Sequence, residues 1–382
     1  MSGFLIACGG TGGHLAPGIA LAEELLSRGH KCTLLISDKQ VDSRLIEKYK
    51  NLQFEVLPGS GFSLQPARLL RFFISQMKGL VVAFRLIKEL KPEVIFGFGG
   101  FTCIAITFCG LLNRVPVALH EANRIPGKAV RFIGGFAKRV YLPTDVKVRY
   151  IKASRVRYYG YPVRKEIVQI SKVEARGRLG MNPKQKVLVI LGGSQGASAL
   201  NDWARSVMEK LARDEVQVYC VTGLGKGRDE IFEYESSSGV KVRSGFIAFS
   251  DQVGDLLSSA DLAVSRAGAG TIAEMTCCGL PSILIPNPHS ADNHQEENAK
   301  FFETQGGGFL VNQEFMDDLY KEVKEVIFNE GLLQQLGINL KCMDRDNSAN
   351  LIADDLENLS SRGGASEPRL PATEVSCERS QL

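Results

Sequence analysis

No apolar run in this 382-residue chain reaches the roughly 18 residues that a membrane-spanning helix requires. The first apolar run, FLIAC, has no basic segment before it and is cut by glycines within a few residues, so it does not read as a signal peptide. A cytoplasmic protein is the expectation, with any membrane contact peripheral. Net charge is only +4, too little to argue for a nucleic-acid partner. The nine cysteines are scattered, with none in the paired spacing of a metal site. They read as reduced thiols of a cytosolic chain, with adjacent Cys277 and Cys278 serving packing. The opening GGTGGH lacks both the Lys-Ser/Thr ending of a P-loop and the register of GxGxxG. No DxD-type pair closes a strand, so neither an obligatory metal nor another cofactor is expected.

What is present is enough apolar sequence, 44% hydrophobic against 23% charged, to fill two domains of ordinary size. Short apolar runs alternate with helical stretches. Phe4–Cys8, Thr33–Ile36, Phe54–Leu57, Val94–Phe98 and Val115–Leu119 read as strands, with Pro17–Ser27 and Phe101–Leu112 helical. The pattern restarts at Lys186–Leu191 (KVLVIL) and continues through strands Val216–Val221, Leu262–Ser265 and Ser282–Ile285. Helices are expected at Leu200–Ala212, Ile272–Cys278 and Asn293–Thr304. Such alternation implies βαβ units, and runs without polar alternation suit strands buried on both faces. GYPVR, Gly160–Arg164, carries turn residues and marks the boundary. The segment after about Ser360 lacks apolar periodicity and reads as disordered.

Each half opens with a strand that breaks into glycine, where backbone can approach a ligand and a helix start offers free N–H groups. In the first half the loop is GGTGGH, which presents His14. In the second it is GGSQGA, with Ser194 suited to a phosphate, and then SRAGAGTIAE, where Glu274 lies a turn into the helix, in reach of a ribose diol. HEAN, residues 120–123, puts three polar side chains at the end of a buried strand, a costly place unless they are paired or used. DNHQEENA starts a helix with amides able to read sugar hydroxyls. Tight turns, a hydrogen-bonded histidine and a capping glutamate are the bland readings of the same residues. PARLLRFFISQMKGLVVAFRLIKELKP, residues 66–92, intersperses bases among apolar residues. It suits either an anionic membrane surface or a core-packed helix with a solvated basic face.

In order, GGTGGHLAPGIALAEEL, GFGGF, HEAN with PG following, PVR, LGGSQGA, SRAGAGTIAE and ADNHQEENA resemble the motif series of one bacterial family. These are the UDP-N-acetylglucosamine–undecaprenyl-pyrophosphoryl-muramyl-pentapeptide N-acetylglucosaminyltransferases, the MurG glycosyltransferases of peptidoglycan synthesis. The resemblance runs from about Gly3 to Asp355. It implies an α/β protein of the glycosyltransferase B fold: two Rossmann-like domains with parallel sheets facing an interdomain cleft. Residues 1–162 would form the acceptor and membrane-associating domain and 163–345 the domain for UDP-N-acetylglucosamine. Residues 346–359 would form a helix returning to the first domain, and 360–382 a disordered tail.

The resemblance also implies roles. Ser194 and Gln195 would lie by the diphosphate, Arg164 on the nucleotide, and the Ile247 backbone at the uracil. Ala269, Gly270 and Thr271 would give amides to the phosphates, and Glu274 would hold the ribose. Gln295 would bind the transferred sugar, with His294 and Asn298 nearby. His14, Glu121 and Asn123 would line the acceptor side, and Thr11, Gly12, Gly13 and Asn123 would also border the donor. Arg68, Arg71, Phe72, Phe73, Lys78 and Arg85 fall where the family has its membrane patch. The implied reaction moves N-acetylglucosamine, with inversion, from UDP to the 4-hydroxyl of the muramyl sugar of lipid I, giving lipid II. It would run on the cytoplasmic face of the inner membrane, with a cell-wall or division protein complex as a further partner. His14 is the first choice of base, with Glu121 orienting it or acting instead.

Three positions depart from the family pattern: Tyr161 and Val130 each stand where Asn is usual, and Ala122 replaces Gln in HEQN. A glycosyltransferase of the same fold with another lipid or small-molecule acceptor, and an inactive nucleotide-sugar-binding protein, are the alternatives. A dehydrogenase with Asp38 closing the second strand is a third.

Overall fold

The computed structural model describes residues 1–10, 12–37, 46–59, 66–100, 102–193, 195–343 and 348–360. Asp38, Thr11, Ser194, Phe101 and the segment after Ser360 therefore lie outside the described residues.

Among the described residues there are two seven-stranded sheets. The first contains β1 (Gly3–Ala7), β2 (Lys31–Ile36), β3 (Gln53–Val56), β4 (Val94–Gly97), β5 (Val117–His120), β6 (Arg139–Tyr141) and β7 (Val156–Arg157). Its order is β3-β2-β1-β4-β5-β6-β7, parallel throughout. The second contains β8 (Lys186–Leu191), β9 (Val216–Val221), β10 (Glu230–Glu235), β11 (Lys241–Ile247), β12 (Leu262–Ser265), β13 (Ser282–Leu284) and β14 (Gly308–Leu310). Its order is β10-β11-β9-β8-β12-β13-β14, parallel except for the β10–β11 hairpin.

Alternation along the central strands explains why both sheets are covered on both faces. In β8, Leu188 and Ile190 join one apolar cluster, while Val187, Val189 and Leu191 join the other. In β1, Phe4 and Ile6 face one way and Leu5 and Ala7 the other. Burying each large apolar side chain contributes about 1.5–3 kcal/mol, so an uninterrupted apolar run is stable only with helices on both sides. The hairpin strand EIFEYE solves a different problem. Phe232 and Tyr234 pack against the core while Ile231, Glu233 and Glu235 point out, and the charges guard the open edge.

Several elements differ from the expected bounds. The first helix starts at Gly12 rather than Pro17, so Pro17 lies inside the helix, where its missing N–H leaves the Gly13 carbonyl without the usual helical donor. Its early start makes His14 a first-turn residue. The helix Ala269–Cys277 likewise starts within the glycines, three residues before Ile272. Among the described residues seven cysteines are free thiols, and six of these are buried.

After the second sheet the chain crosses back. The helix Ser348–Leu359 buries Ile352, Ala353 and Leu356 in the first domain's core with Leu15 and Leu21 of the helix Gly12–Ser27. Asp355, 2% exposed, accepts from Tyr141 Oη at 3.0 Å and from Arg139 Nε at 3.0 and 3.2 Å. Truncating it leaves a buried phenol and a guanidinium unpaired. We expect Asp355→Ala to cost about 2–4 kcal/mol, read as a lower urea midpoint for unfolding of the first domain. A loss under about 0.5 kcal/mol would mean that this carboxylate does not anchor the helix.

Candidate active site

In a doubly wound sheet, ligands bind at the carboxyl ends of the strands where the strand order reverses. In the first sheet that point lies between β1 and β4; in the second it lies between β8 and β12. The glycine-rich stretches follow those four strands: GGTGGH after β1, GFGGF at the end of β4, GGSQGA after β8 and SRAGAG after β12.

The two loops of the first sheet are laced together, with Thr102 Oγ1 donating to Gly9 O at 3.0 Å. His14 lies against the Gly99–Gly100 turn. A Cβ on Gly100 would come within 3.3 Å of both the imidazole and Gly9 O, and its φ is +74°. Glycine at 100 is thus required by the backbone and by the seat of the histidine.

Glu121 is brought to the same region but faces its own loop. Oε1 accepts from the Asn123 backbone N at 2.9 Å and from its side chain at 3.0 Å, and Oε2 accepts from Gly127 N at 2.5 Å. Burial nevertheless pushes its carboxyl pKa up, outweighing these bonds. The expectation that Glu121 serves as base meets this occupancy: its lone pairs hold HEANRIPG in shape. Val130, in the short helix that follows, is buried in the core.

Asn123 and Asn298, expected beside the donor, bond to each other. Asn298, 5% exposed, gives its amide to Asn123 Oδ1 and to Ala267 O, both at 3.1 Å, and accepts from Arg124 N at 2.9 Å. Asn298, expected near the transferred sugar, has its side-chain amide bonded to protein on both its nitrogen and its oxygen. The Arg124 guanidinium stacks 3.9 Å from the Phe301 ring centroid, and Arg131 pairs with Asp292. Together these contacts close one side of the junction between the sheets. On the other side Tyr49 and Lys48 bond Glu166, and Lys165 pairs with Glu24.

Arg164 and Glu274, expected on nucleotide and ribose, also meet, with Nη2 to Oε1 at 3.0 Å. Burial alone would lower the Arg164 pKa, but the carboxylates of Glu274 and Glu166 overcome it and hold it above the usual range. Its Nε is buried with no partner. The helix Ala269–Cys277 has no side-chain cap, so Ala269, Gly270 and Thr271 start it with uncapped amides. Gln295 Oε1 accepts from Asn287 N at 2.9 Å, and His294 Nδ1 bonds Ala291 O at 2.7 Å, both at the start of the helix His294–Thr304. The Ile247 carbonyl accepts from Thr222 N at 2.9 Å, and Gln195 is exposed in its turn. Gly12 and Gly13 open the first helix.

Two residues of this region were not singled out as site residues from the sequence. Tyr161 bonds Gly13 O across the junction. His120, 2% exposed, packs on Phe98 with centroids 5.3 Å apart and bonds Gly160 O through Nε2 at 2.7 Å. HEAN marked His120 as polar at a strand end; nothing in the spacing tied it to Gly160.

Two facing doubly wound sheets, with both reversal points on one junction, define the architecture of the glycosyltransferases of the B fold. Residues 4–142 match the family model for the glycosyltransferase family 28 N-terminal domain, and residues 187–349 the model for its C-terminal domain. A transferase of Opitutus terrae is 52% identical over 98% of this chain and 100% of its own length. It is named UDP-N-acetylglucosamine–N-acetylmuramyl-(pentapeptide) pyrophosphoryl-undecaprenol N-acetylglucosamine transferase. A relative of the same name from Caldanaerobacter subterraneus subsp. tengcongensis is 30% identical over 91% of this chain and 96% of its own. The crystal structure of Acinetobacter baumannii MurG superposes with a TM-score of 0.69 at 21% identity, covering 93% of this chain and 99% of that one. The chain belongs to this MurG family of family 28 glycosyltransferases, and the expected fold class is borne out.

Burial lowers the His120 pKa to about 4, with its bond to Gly160 opposing and His14 adding slightly. In the unfolded chain it would titrate near 6.5. The unfolded state therefore binds the extra proton between those values, and stability falls as pH falls. His120 should contribute its full stabilisation above about pH 6.5 and lose about 3 kcal/mol of it on the way to pH 4. Comparing urea unfolding of wild type and His120→Asn from pH 7.5 to 4.5 checks this. A difference that stays flat across that range would refute it.

Proposed function

We propose that the chain transfers N-acetylglucosamine from UDP-N-acetylglucosamine to the 4-hydroxyl of the muramyl sugar of lipid I, inverting the anomeric centre and giving lipid II. The observation that carries this reading is the approach of two helix starts. The turn bearing His14 and the uncapped turn Ala269–Thr271 are joined by one tyrosine across the junction. The names of the full-length relatives supply the substrates.

A single displacement needs a base for the acceptor hydroxyl and stabilisation of the departing UDP. His14 is the base in this proposal. Its place in the first turn of a helix, against a glycine turn without side chains, leaves room for an acceptor, and an imidazole titrates near neutral pH. Glu121 acts by holding the acceptor loop, as its bonds to Asn123 and Gly127 suggest. On the donor side, the amides of Ala269, Gly270 and Thr271 meet the diphosphate at the positive end of their helix. The unpaired Nε of Arg164 is a buried donor that an anionic nucleotide would satisfy. Glu274 holds the ribose while oriented by Arg164, and Gln295 meets the sugar. Closure of the two domains on the donor accompanies binding.

The helix Pro66–Leu90 lies on the membrane in this reading. Phe73, Ile74, Met77, Val81 and Phe84 are exposed on it, and Phe108 and Leu112 are exposed on the helix Thr102–Leu112, which packs beside it. So much exposed apolar surface is unusual for a free-standing face, and Lys78 and Arg85 are exposed along it. Phe72 is half-buried against Phe73, and the side chains of Arg68 and Arg71 lie outside the described residues. No helix among the described residues is long and apolar enough to cross a membrane.

UDP release from UDP-N-acetylglucosamine, with and without a lipid I analogue, tests the function: release should depend on the acceptor. His14→Ala should lower turnover by about 10²–10⁴-fold, the range for a lost general base; near wild-type turnover would remove His14 from that role. Reversing Arg71, Lys78 and Arg85 to Glu should weaken binding to anionic vesicles at low salt and leave binding to neutral vesicles alone. Unchanged binding to anionic vesicles would rule out the surface role.

A further inference from the structure

Tyr161 occupies the linker between the two sheets, after β7 and before β8. Three contacts define it. Its hydroxyl donates to the carbonyl of Gly13, the residue before His14, at 3.1 Å. Its ring stands near-perpendicular to the His120 imidazole, with centroids 6.2 Å apart. On the opposite side it rests on bare backbone: a Cβ on Gly270 would lie 2.6 Å from the phenol oxygen and 3.1 Å from Cζ. Only glycine at 270 admits this ring.

The backbone that carries the ring is fixed on both flanks. One residue before it, Gly160 O is held by His120 Nε2 at 2.7 Å. Three residues after it, Arg164 is paired with Glu274 of the helix Ala269–Cys277. Burial first, and the Glu274 carboxylate second, hold the phenol pKa above its usual value, so the hydroxyl remains a donor. A phenol with two side-chain torsions is a stiff spacer. An asparagine amide would end several bonds short of Gly13.

We propose that Tyr161 is a positioning residue whose phenol sets the separation between the turn carrying His14 and the turn Gly268–Thr271, so that occupancy of the donor turn is transmitted to the seat of His14. Gly270 and Tyr161 then form a matched pair, the missing side chain of one making room for the length of the other. The role rests on the transferase reading for its catalytic consequence, but the contact itself does not.

The test is a double-mutant cycle on Tyr161 and Gly270, read by kinetics and by melting. Tyr161→Phe keeps the ring and removes only the bond to Gly13. Its kcat for transfer should fall about fivefold, the worth of one neutral hydrogen bond, with KM for UDP-N-acetylglucosamine within about twofold and acceptor-independent UDP release undiminished. Gly270→Ala should lower both kcat and melting temperature. In a Tyr161→Asn background, where the ring no longer fills the space, the added methyl should cost clearly less in melting temperature, a non-additive result. Wild-type kcat in Tyr161→Phe, or additive melting shifts in the cycle, would overturn the proposal. A wild-type chain that releases no UDP with any lipid I analogue would sink the transferase reading, while the melting cycle would still decide whether Tyr161 and Gly270 are matched.

Discussion

The side chain of Asn298 lies between the two sheets with its amide bonded in three directions, and the working arrangement of the junction depends on it. One N–H bond holds Asn123 of the loop after β5, the other holds Ala267 O at the entry to the glycine turn after β12, and the carbonyl accepts from Arg124. A buried amide left unpaired costs about 1–3 kcal/mol, so the group is stable only when all three partners are in place. The loop and the turn are therefore referenced to the same atoms. Asn123 passes the constraint to Glu121, and Glu121 passes it to Gly127. Asn298 thus acts as a joint between these elements.

Charge is distributed around this joint so that little of it is left uncompensated. Arg164 is 8% exposed, yet it sits between Glu274 and Glu166, and Glu166 also bonds Tyr49 and Lys48 of the first domain. Buried ion pairs gain little net stability over apolar replacements, but removing one partner is expensive. That asymmetry favours one geometry of the junction. The orphaned Nε of Arg164 is the exception.

The sequence was most legible where physics is local. KVLVIL and VQVYCV read as strands with the observed bounds, because each puts five consecutive buried residues on alternate faces. The glycine loops are legible as strand-to-helix turns, and the sheet order places them at both reversal points. The first helix start is hard to read, because Gly12 and Gly13 look like loop residues and Pro17, which looks like a helix start, lies inside the helix. EIFEYE does not read as a strand because half its residues are glutamate; its hairpin with KVRSGFI lets Phe232 and Tyr234 pack on the core. Partners far apart in the chain were illegible. Nothing near Asn298 indicates that it will meet Asn123 across 175 residues, nor does anything near Tyr161 point to Gly13 across 148.

The returning helix Ser348–Leu359 has a consequence for how the molecule is made. A ribosome delivers the first sheet early, but Leu15, Leu21 and Leu25 keep an open apolar face until Ile352, Ala353 and Leu356 arrive. Until then Tyr141 has no carboxylate to meet. The first domain to be synthesised is thus the last to be completed, and its exposed seam must stay soluble through the time taken to translate the second. The covalent order of the chain and the order in which its cores close are opposed, and the last turns of helix are the fastening for both.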